Sequence, residues 1–342
     1  MLYHRIVIII FCISIFVSPA TRVYARVADI DDLGESTDDR EQPEIGNFAL
    51  RTTQQPGPLF GFGQNINTKG DLQVFTSPNK IGGTNFSFSE LFLLADYALT
   101  DVCTVLVALP VALSRRTKST SFFSLIPVRS ETNDRDVLAK QARMPDPEEQ
   151  EEILLKSSGV EDLIIQAEYA IVDKETPTSE LQTTLIGTII LPTGSATKQP
   201  NTGLGSPAFF FGTTINYQTL YWYVYGDAGY NITTKKNGLK FGNSLTYQVG
   251  FEGIIAYKPK KFILAWIFEV FNIHTKKDIV MNQKNPDSGS HLIFAAPSLW
   301  FSTNHFVFQI GVGVPVYQKL TGVQNKTSYY LNTNIAWTFS LQ

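Results

Sequence analysis

Acidic side chains recur inside segments that are otherwise apolar, and their carboxylates are the first candidates for chemistry. They stand at the polar positions of an alternating pattern, with apolar residues on either side. If these positions line an enclosed space, that space attracts cations and repels anions. The six candidate lining residues are Glu90, Asp96, Glu168, Asp227, Glu252 and Glu269.

A second interpretation of the same carboxylates stays open. They could belong to a filled interior, paired with arginines from loops or hydrogen-bonded to Tyr221, Tyr223 and Tyr225. Lys240 is the main basic residue predicted at a mid-strand position.

Histidine and cysteine provide little further chemistry. His274 and His291 flank one predicted loop on adjacent strands, but two imidazoles without a third ligand do not define a metal site. A membrane-embedded hydrolase would need a serine beside His274, and none has an obvious position there. Cys103 alternates with apolar neighbours, which is typical of an inert thiol. With no hydrolase, zinc-protease, dithiol or phosphate-loop motif, we expect no cofactor, no metal and no enzymatic activity.

The elements that carry these residues have a period of two. From Tyr329 to Leu341 all odd positions except Thr333 are apolar and the even positions are mostly polar, as in a strand with one apolar face. The same pattern recurs along the chain and predicts twelve strands, at about 70–77, 86–99, 102–115, 160–172, 180–192, 206–217, 220–233, 239–257, 262–275, 290–303, 305–319 and 328–341.

The predicted connections alternate in length. The short connections are Thr100-Asp101, 173–179, Gln218-Thr219, 258–261 and Asn304, and the longer ones are 78–85, 116–159, 193–205, 234–238, 276–289 and 320–327. A soluble sandwich has no reason to sort loops by side, whereas an outer-membrane barrel does. We therefore predict an all-β fold, a transmembrane antiparallel up-and-down barrel of about 12 strands, with both termini at the short turns.

The beginning of the chain predicts export. Residues 1–25 combine Arg5, an apolar run from Ile6 to Val17 and small residues before a cleavage point, as in a signal peptide. Residues 26–68 hold eight acidic against three basic residues and predict a poorly ordered periplasmic leader. Residues 69–342 then form the barrel.

Composition excludes several other classes. Only 17% of the residues are charged, below the average of about 25%. The net charge of −3 argues against a nucleic-acid partner, and 2 cysteines cannot build a disulfide scaffold.

The insertion loop 116–159 departs from the strand pattern. Asp146 as a cap, Pro147 at the first helical position and the acidic residues that follow predict a helix over 147–157. We expect this loop either to limit entry at the outer mouth or to be a surface insertion without function.

Three short motifs resemble the bacterial family named for the putative MetA pathway of phenol degradation. Ser158–Leu163 is similar to its Ser-Gly-Leu-Gly-Asp strand opening, although Glu161 replaces the second glycine. Leu191–Gly194 resembles its Leu-Pro-Thr-Gly strand exit, and Thr202-Gly203 resembles the segment that follows. The resemblance implies an outer-membrane barrel that passes hydrophobic or aromatic solutes.

The expected function is a channel or transporter in the outer membrane, passing a small-molecule solute through a narrow acid-lined lumen. The expected partners are outer-membrane lipid, the solute and the barrel-assembly machinery, which would bind the alternating C-terminal strand. A structural or surface-interaction barrel with a filled lumen is the second hypothesis, and a membrane-embedded hydrolase is the third.

Overall fold

The computed structural model describes residues 69–119 and 153–340, apart from positions 177, 197, 199, 220, 237, 259, 260, 304 and 323. The predicted signal peptide and leader lie outside these residues and stay predictions. The strands are β1 (Asp71–Gly83), β2 (Phe86–Thr100), β3 (Cys103–Ser119), β4 (Ile153–Val160), β5 (Leu163–Glu175), β6 (Ser179–Leu191), β7 (Ala208–Thr219), β8 (Trp222–Thr233), β9 (Lys235–Lys236), β10 (Leu239–Lys240), β11 (Ser244–Lys258), β12 (Phe262–Thr275), β13 (Ile279–Val280), β14 (Gln283–Lys284), β15 (Ser290–Ser302), β16 (Phe306–Leu320) and β17 (Thr327–Ser340).

Twelve of these strands form one closed antiparallel wall, as predicted. Each strand pairs with the next one along the chain, and β1 pairs with β17 to close the ring. This closing seam runs from Asp71 opposite Ser340 to Gly83 opposite Thr327. β4 extends the fourth wall strand beyond β5 by pairing with β3. In the described part of the chain, no helix is long and apolar enough to cross a membrane.

Burial along the wall is the reverse of that in a soluble protein. The outward positions expose large apolar side chains, among them Leu93, Ile215 and Phe268. The inward positions bury glutamate, aspartate, glutamine and asparagine beside apolar residues. A face of this kind is stable against lipid, and the closed sheet pairs the backbone groups that lipid cannot hydrogen-bond.

The two ends of the barrel differ in the length of their connections. The predicted alternation of short turns and longer loops is largely confirmed. The turns of the short-turn rim are 101–102, 176–178, 220–221, 259–261 and 303–305; the connections of the long-loop rim are 84–85, 120–152, 192–207, 234–243, 276–289 and 321–326. The predicted loop at 78–85 is wrong, because β1 continues pairing with β2 as far as Gly82 and leaves only Thr84-Asn85.

The helix predicted at 147–157 is not confirmed. Residues 153–157 belong to β4, where Leu155 pairs with Thr117 and Ser157 with Arg115. Extending a hairpin ladder satisfies backbone groups on both strands, which overrides a local helix preference. The remainder of the predicted helix lies outside the described residues.

A small sheet of four two-residue strands stands above the wall on the long-loop side. Its order is β14-β13-β10-β9, so Lys240 belongs to this sheet and not to a wall strand as predicted. Asp278 connects it to the barrel. Its Oδ1 accepts a hydrogen bond from the Gly242 N–H at 2.7 Å, and its own N–H donates to Ser288 Oγ at 2.9 Å. Burial raises the pKa of Asp278 from 3.8 to about 7.

Inside the wall, some aromatic rings lie across glycines of the neighbouring strand. A Cβ added to Gly250 would lie 2.0 Å from the Tyr225 ring, so the missing side chain is what allows the ring to cross β11. Gly187 is different, because a Cβ added there meets no atom within 4 Å.

Substitution by alanine should affect stability differently at these two glycines. Gly250→Ala displaces the Tyr225 ring and lowers the free energy of unfolding by about 1–3 kcal/mol, the usual cost of overpacking. Gly187→Ala stays within about 0.5 kcal/mol of the parent protein. Urea titration of the folded barrel in detergent, followed by gel mobility without boiling, measures both. Equal stability of the two variants would contradict the close contact.

The raised pKa of Asp278 predicts that the stability of the small outer sheet depends on pH. Because the pKa in the fold exceeds that of the unfolded chain, the folded loop binds more protons between pH 3.8 and about 7. Its stability therefore falls as pH rises through this range and is level above it. Amide exchange in 276–289, corrected for intrinsic rates, should be faster at pH 8 than at pH 5. Asp278→Asn should remove this difference, and an unchanged difference would assign it to other groups.

Candidate functional site

All six predicted lining carboxylates lie on the inward face of the barrel, each at most 6% exposed. Their placement follows from strand parity, because every second side chain of a wall strand faces the interior. Glu90 and Asp96 share β2, while Glu168 lies on β5. The other three lie on neighbouring strands: Asp227 on β8, Glu252 on β11 and Glu269 on β12. That solutes pass along them stays a prediction.

Glu269 is the centre of a tyrosine–carboxylate cluster, which also contains Tyr223, Tyr225, Asp227, Gln248 and Glu252. Glu269 Oε1 accepts hydrogen bonds from Tyr225 Oη at 2.7 Å and from Gln248 Nε2 at 2.6 Å. The Tyr223 and Tyr225 ring centroids are 5.1 Å apart. The predicted tyrosine pairing is thus present for Tyr225, whereas Tyr221 lies exposed near the short-turn rim.

Two carboxylates of this cluster retain hydrogen-bonding capacity. Asp227 Oδ2 and Glu252 Oε2 are buried and accept no hydrogen bond from the described residues. Asp227 lies opposite Gln248 in the β8–β11 ladder, and Glu252 lies opposite Tyr223. The cluster therefore presents acceptor oxygens toward the interior, which suits a cationic or hydrogen-bond-donating solute.

On β5, Glu168 belongs to a shorter chain of polar groups. Gln166 Nε2 donates to Glu168 Oε1 at 2.7 Å, and Thr188 Oγ1 donates to Gln166 Oε1 at 3.0 Å. All three side chains are buried. Fixing a side-chain amide between two partners orients Glu168 and limits its rotamers.

A buried arginine, not anticipated from the sequence, forms a second charged centre. Arg115 Nη2 donates to Glu90 Oε1 at 2.7 Å and also to Glu161 Oε1, and Nη1 donates to the Asn201 carbonyl at 2.6 Å. The Phe88 ring centroid lies 5.9 Å from the guanidinium carbon. Removing this arginine would leave two carboxylates buried without their main cation, which is strongly unfavourable.

Two irregularities in the strand pairing explain why the alternation of side chains did not predict this centre. The β2–β3 register shifts between Ser89 and Glu90, which leaves Leu113 as an extra outward residue and moves Arg115 to the inside. Between β4 and β5, Glu161 and Asp162 are both buried although they are consecutive. A regular strand cannot turn two successive side chains inward, whereas a bulge can.

Asp162 holds the loop 192–207 in the mouth of the barrel. Its Oδ1 accepts the Gly194 N–H at 2.8 Å and its Oδ2 accepts the Leu204 N–H at 2.6 Å. Gly194 and Gly203 are in backbone contact, and a Cβ on Gly203 would lie 2.4 Å from the Asp162 carboxylate. The three motifs that resemble the family therefore meet at one place. The loop that reaches the Arg115 centre is 192–207. Most of loop 116–159, the predicted barrier, lies outside the described residues, so its role stays a prediction.

The inner face is only partly polar. A contiguous cluster of buried apolar residues shares the interior with the carboxylates, including Phe75, Phe92, Ile267 and Trp300. Phe92 and Trp300 are both 0% exposed. An interior of this kind offers aromatic surfaces beside the acidic groups.

The histidines lie elsewhere. His274 and His291 face outward on paired strands, with ring centroids 5.5 Å apart. Within residues 69–119 and 153–340, no group of three or more histidine, cysteine, aspartate or glutamate side chains is arranged to hold a metal ion. Among the same residues, His274 makes no hydrogen bond to a serine, and Cys103 is a free, half-buried thiol.

Comparison with solved structures places the fold. It is similar to an outer membrane channel from Pseudomonas putida F1, with a TM-score of 0.59 and 13% identity, covering 80% of this chain and 97% of that one. For the NanC porin the TM-score is 0.42 at 8% identity, with 77% and 98% covered. For the translocator domain of the autotransporter NalP from Neisseria meningitidis it is 0.40 at 11% identity, with 80% and 90% covered. The class is therefore a closed antiparallel barrel of the outer-membrane type. No family model and no curated protein matches the sequence.

The attachment of loop 192–207 predicts a clear effect of one substitution. Asp162→Ala leaves the Gly194 and Leu204 N–H groups without their acceptor. Each buried donor without an acceptor lowers the stability of the folded loop by about 1–3 kcal/mol. Hydrogen exchange of amides 194–204 should become about tenfold faster or more. Asp173→Ala, at an exposed position near the short turns, is the control and should leave this segment unchanged. Slow exchange in both variants would show that other contacts hold the loop.

Proposed function

We propose that the protein is an outer-membrane channel or transporter that passes small solutes through the barrel interior. The observation that carries the proposal is the reversed burial of the wall, with charges inside and large apolar side chains outside. A wall of this kind is stable against lipid, and its inward carboxylates provide polar contacts for a solute. The similar fold of the P. putida channel and the three motifs of the phenol-degradation family support the same function.

The proposed route runs from the long-loop rim past the loop 192–207 to the tyrosine–carboxylate cluster. Arg115 is neutralised by Glu90 and Glu161. Among the described residues, Asp227 and Glu252 add carboxylate oxygens with no hydrogen-bond partner, which favours cations. The buried aromatic rings favour solutes with an apolar or aromatic part. The preferred solute class is therefore a small cation or neutral molecule with aromatic character.

The C-terminal strand supports assembly into the same membrane. β17 closes the barrel and alternates apolar and polar residues up to Ser340. We propose that this strand is the part recognised by the barrel-assembly machinery, with the exported chain delivered by the signal peptide.

Two aromatic ions of similar size and opposite charge test the selectivity. In planar bilayers, reversal potentials should give a higher permeability for benzylammonium than for benzoate. Glu168→Gln with Glu269→Gln should reduce the permeability ratio severalfold, because each removes a carboxylate from the lumen. Asp101→Asn, in the exposed turn between β2 and β3, is the control for removing a charge outside the wall strands. An unchanged ratio in the double variant would reject the acidic lumen.

A structural barrel with a filled interior is the second candidate, favoured by the 0% exposure of Phe92, Trp300 and Glu269. It predicts no conductance in the parent protein or in Asp162→Ala. The channel function predicts a small conductance in the parent and a larger one in Asp162→Ala, because the loop 192–207 is released. Silent bilayers in both cases, with the barrel shown to be folded by its heat-modifiable gel mobility, would select the structural barrel.

A further inference from the structure

The outer wall carries a group of cationic and aromatic side chains just below the long-loop rim. We call it the rim cluster, formed by Tyr230, His274, Lys276, His291, Tyr317 and Lys319. These residues lie on or beside β8, β12, β15 and β16, with β11 between β8 and β12. Their outward strand neighbours toward the short turns are mostly apolar; the exception is Asn272, whose Oδ1 lies 2.7 Å from His291 Nε2. The channel interior lies on the opposite face of the same strands.

The rim cluster is arranged in a row. His274 pairs with His291, and His291 pairs with Lys319, so the three residues stand side by side across three strands. With strands about 4.8 Å apart, this row spans about 10 Å. The His291 ring contacts the Tyr317 ring, with centroids 5.2 Å apart.

Lys276 extends the row beyond the wall. Its Nζ lies 3.1 Å from Tyr230 Oη and 5.5 Å from the Tyr230 ring centroid. The ammonium group is exposed at one side and has further donors for an additional ligand. Tyrosine and lysine at this height are typical of the boundary between the apolar layer and the headgroups.

The lipid-facing apolar wall is continuous with the cluster. Val270, four residues from His274 along β12, is 40% exposed, and Val249 on the neighbouring strand is 59% exposed. A molecule whose polar part contacts the row would therefore have its apolar part against lipid-facing residues. A free anion would gain nothing from that surface.

The charge around the cluster has one sign. Loops 234–243, 276–289 and 321–326 contain seven lysines and two aspartates, and both aspartates are buried. This basic rim is opposite in sign to the acidic interior, so it does not serve to attract the cations that the lumen favours. Clusters of several lysines at a membrane surface bind anionic lipid headgroups.

We propose that the rim cluster binds the phosphate groups of a phosphorylated lipid in the outer leaflet, with the acyl chains packed on the apolar wall below. The proposal rests on the outer-membrane location given under the proposed function, in which the longer loops of a barrel face the outside, but not on transport. Lys276 and Lys319 supply the charge, Tyr230 and His274 supply hydrogen-bond donors, and the aromatic rings fix the headgroup at the interface.

Native mass spectrometry of the full-length protein, released from detergent with added lipid, tests the site. The probes are diphosphoryl lipid A, its fully dephosphorylated form, and inorganic phosphate as a free competitor. K276Q with K319Q should weaken binding of the diphosphoryl lipid about tenfold or more. K258Q with K261Q, which removes two exposed lysines from the short-turn rim, should change it less than twofold.

Three outcomes would overturn the proposal. The first is that the K276Q/K319Q variant and the parent bind the diphosphoryl lipid equally. The second is that the parent binds the dephosphorylated lipid as tightly as the diphosphoryl lipid. The third is that inorganic phosphate displaces the lipid at similar concentration, which would indicate a site for free anions. Gel mobility before and after boiling verifies that the variants are folded. Conductance recorded on the same preparations separates the two proposals, since a non-conducting protein would still bind lipid through its outer face.

Discussion

Pairing of the first and last wall strands is the interaction on which the rest of the structure depends. In lipid, an unpaired backbone N–H or C=O has no water to bond, and each costs several kcal/mol. The ladder from Asp71–Ser340 to Gly83–Thr327 removes the two edges that an open twelve-stranded sheet would leave. Because the ring is closed, every strand has a defined inside and outside, and the alternation of side chains then determines which residues meet lipid.

Closure also places charged side chains in a small interior, where nearby residues pair with several of the carboxylates. On one part of the wall, Arg115 neutralises Glu90 and Glu161 and contacts the backbone of the loop 192–207. On another part, Glu269 accepts hydrogen bonds from Tyr225 and Gln248. The first arrangement attaches a loop at the mouth, and the second leaves acidic oxygens near the middle of the barrel. The attachment of the loop and the tyrosine–carboxylate cluster therefore lie on different parts of the wall.

The outer surface shows the complementary distribution. The acids lie inside, while the lysines of the long-loop rim lie outside and above the apolar wall. Glycine contributes where two groups must approach closely, as at Gly250, where the Tyr225 ring crosses a strand, and at Gly203 beside Asp162. In both cases a functional side chain reaches its partner across a position where a Cβ would obstruct it.

The period-two alternation, the order and number of the twelve wall strands, and the inward position of the six carboxylates are determined by the sequence alone. These features are local, because the alternation of apolar and polar residues within one strand shows which side chains face inward, whatever its neighbours are. Arg115 and Glu161 could not be placed in this way, since each follows or belongs to a bulge that reverses the parity. The extension of β4 through 153–157 and the seating of loop 192–207 likewise depend on partners distant in the chain. Only the tertiary structure decided them, because a register shift and a buried loop are stabilised by pairings between strands, and no single segment contains those pairings.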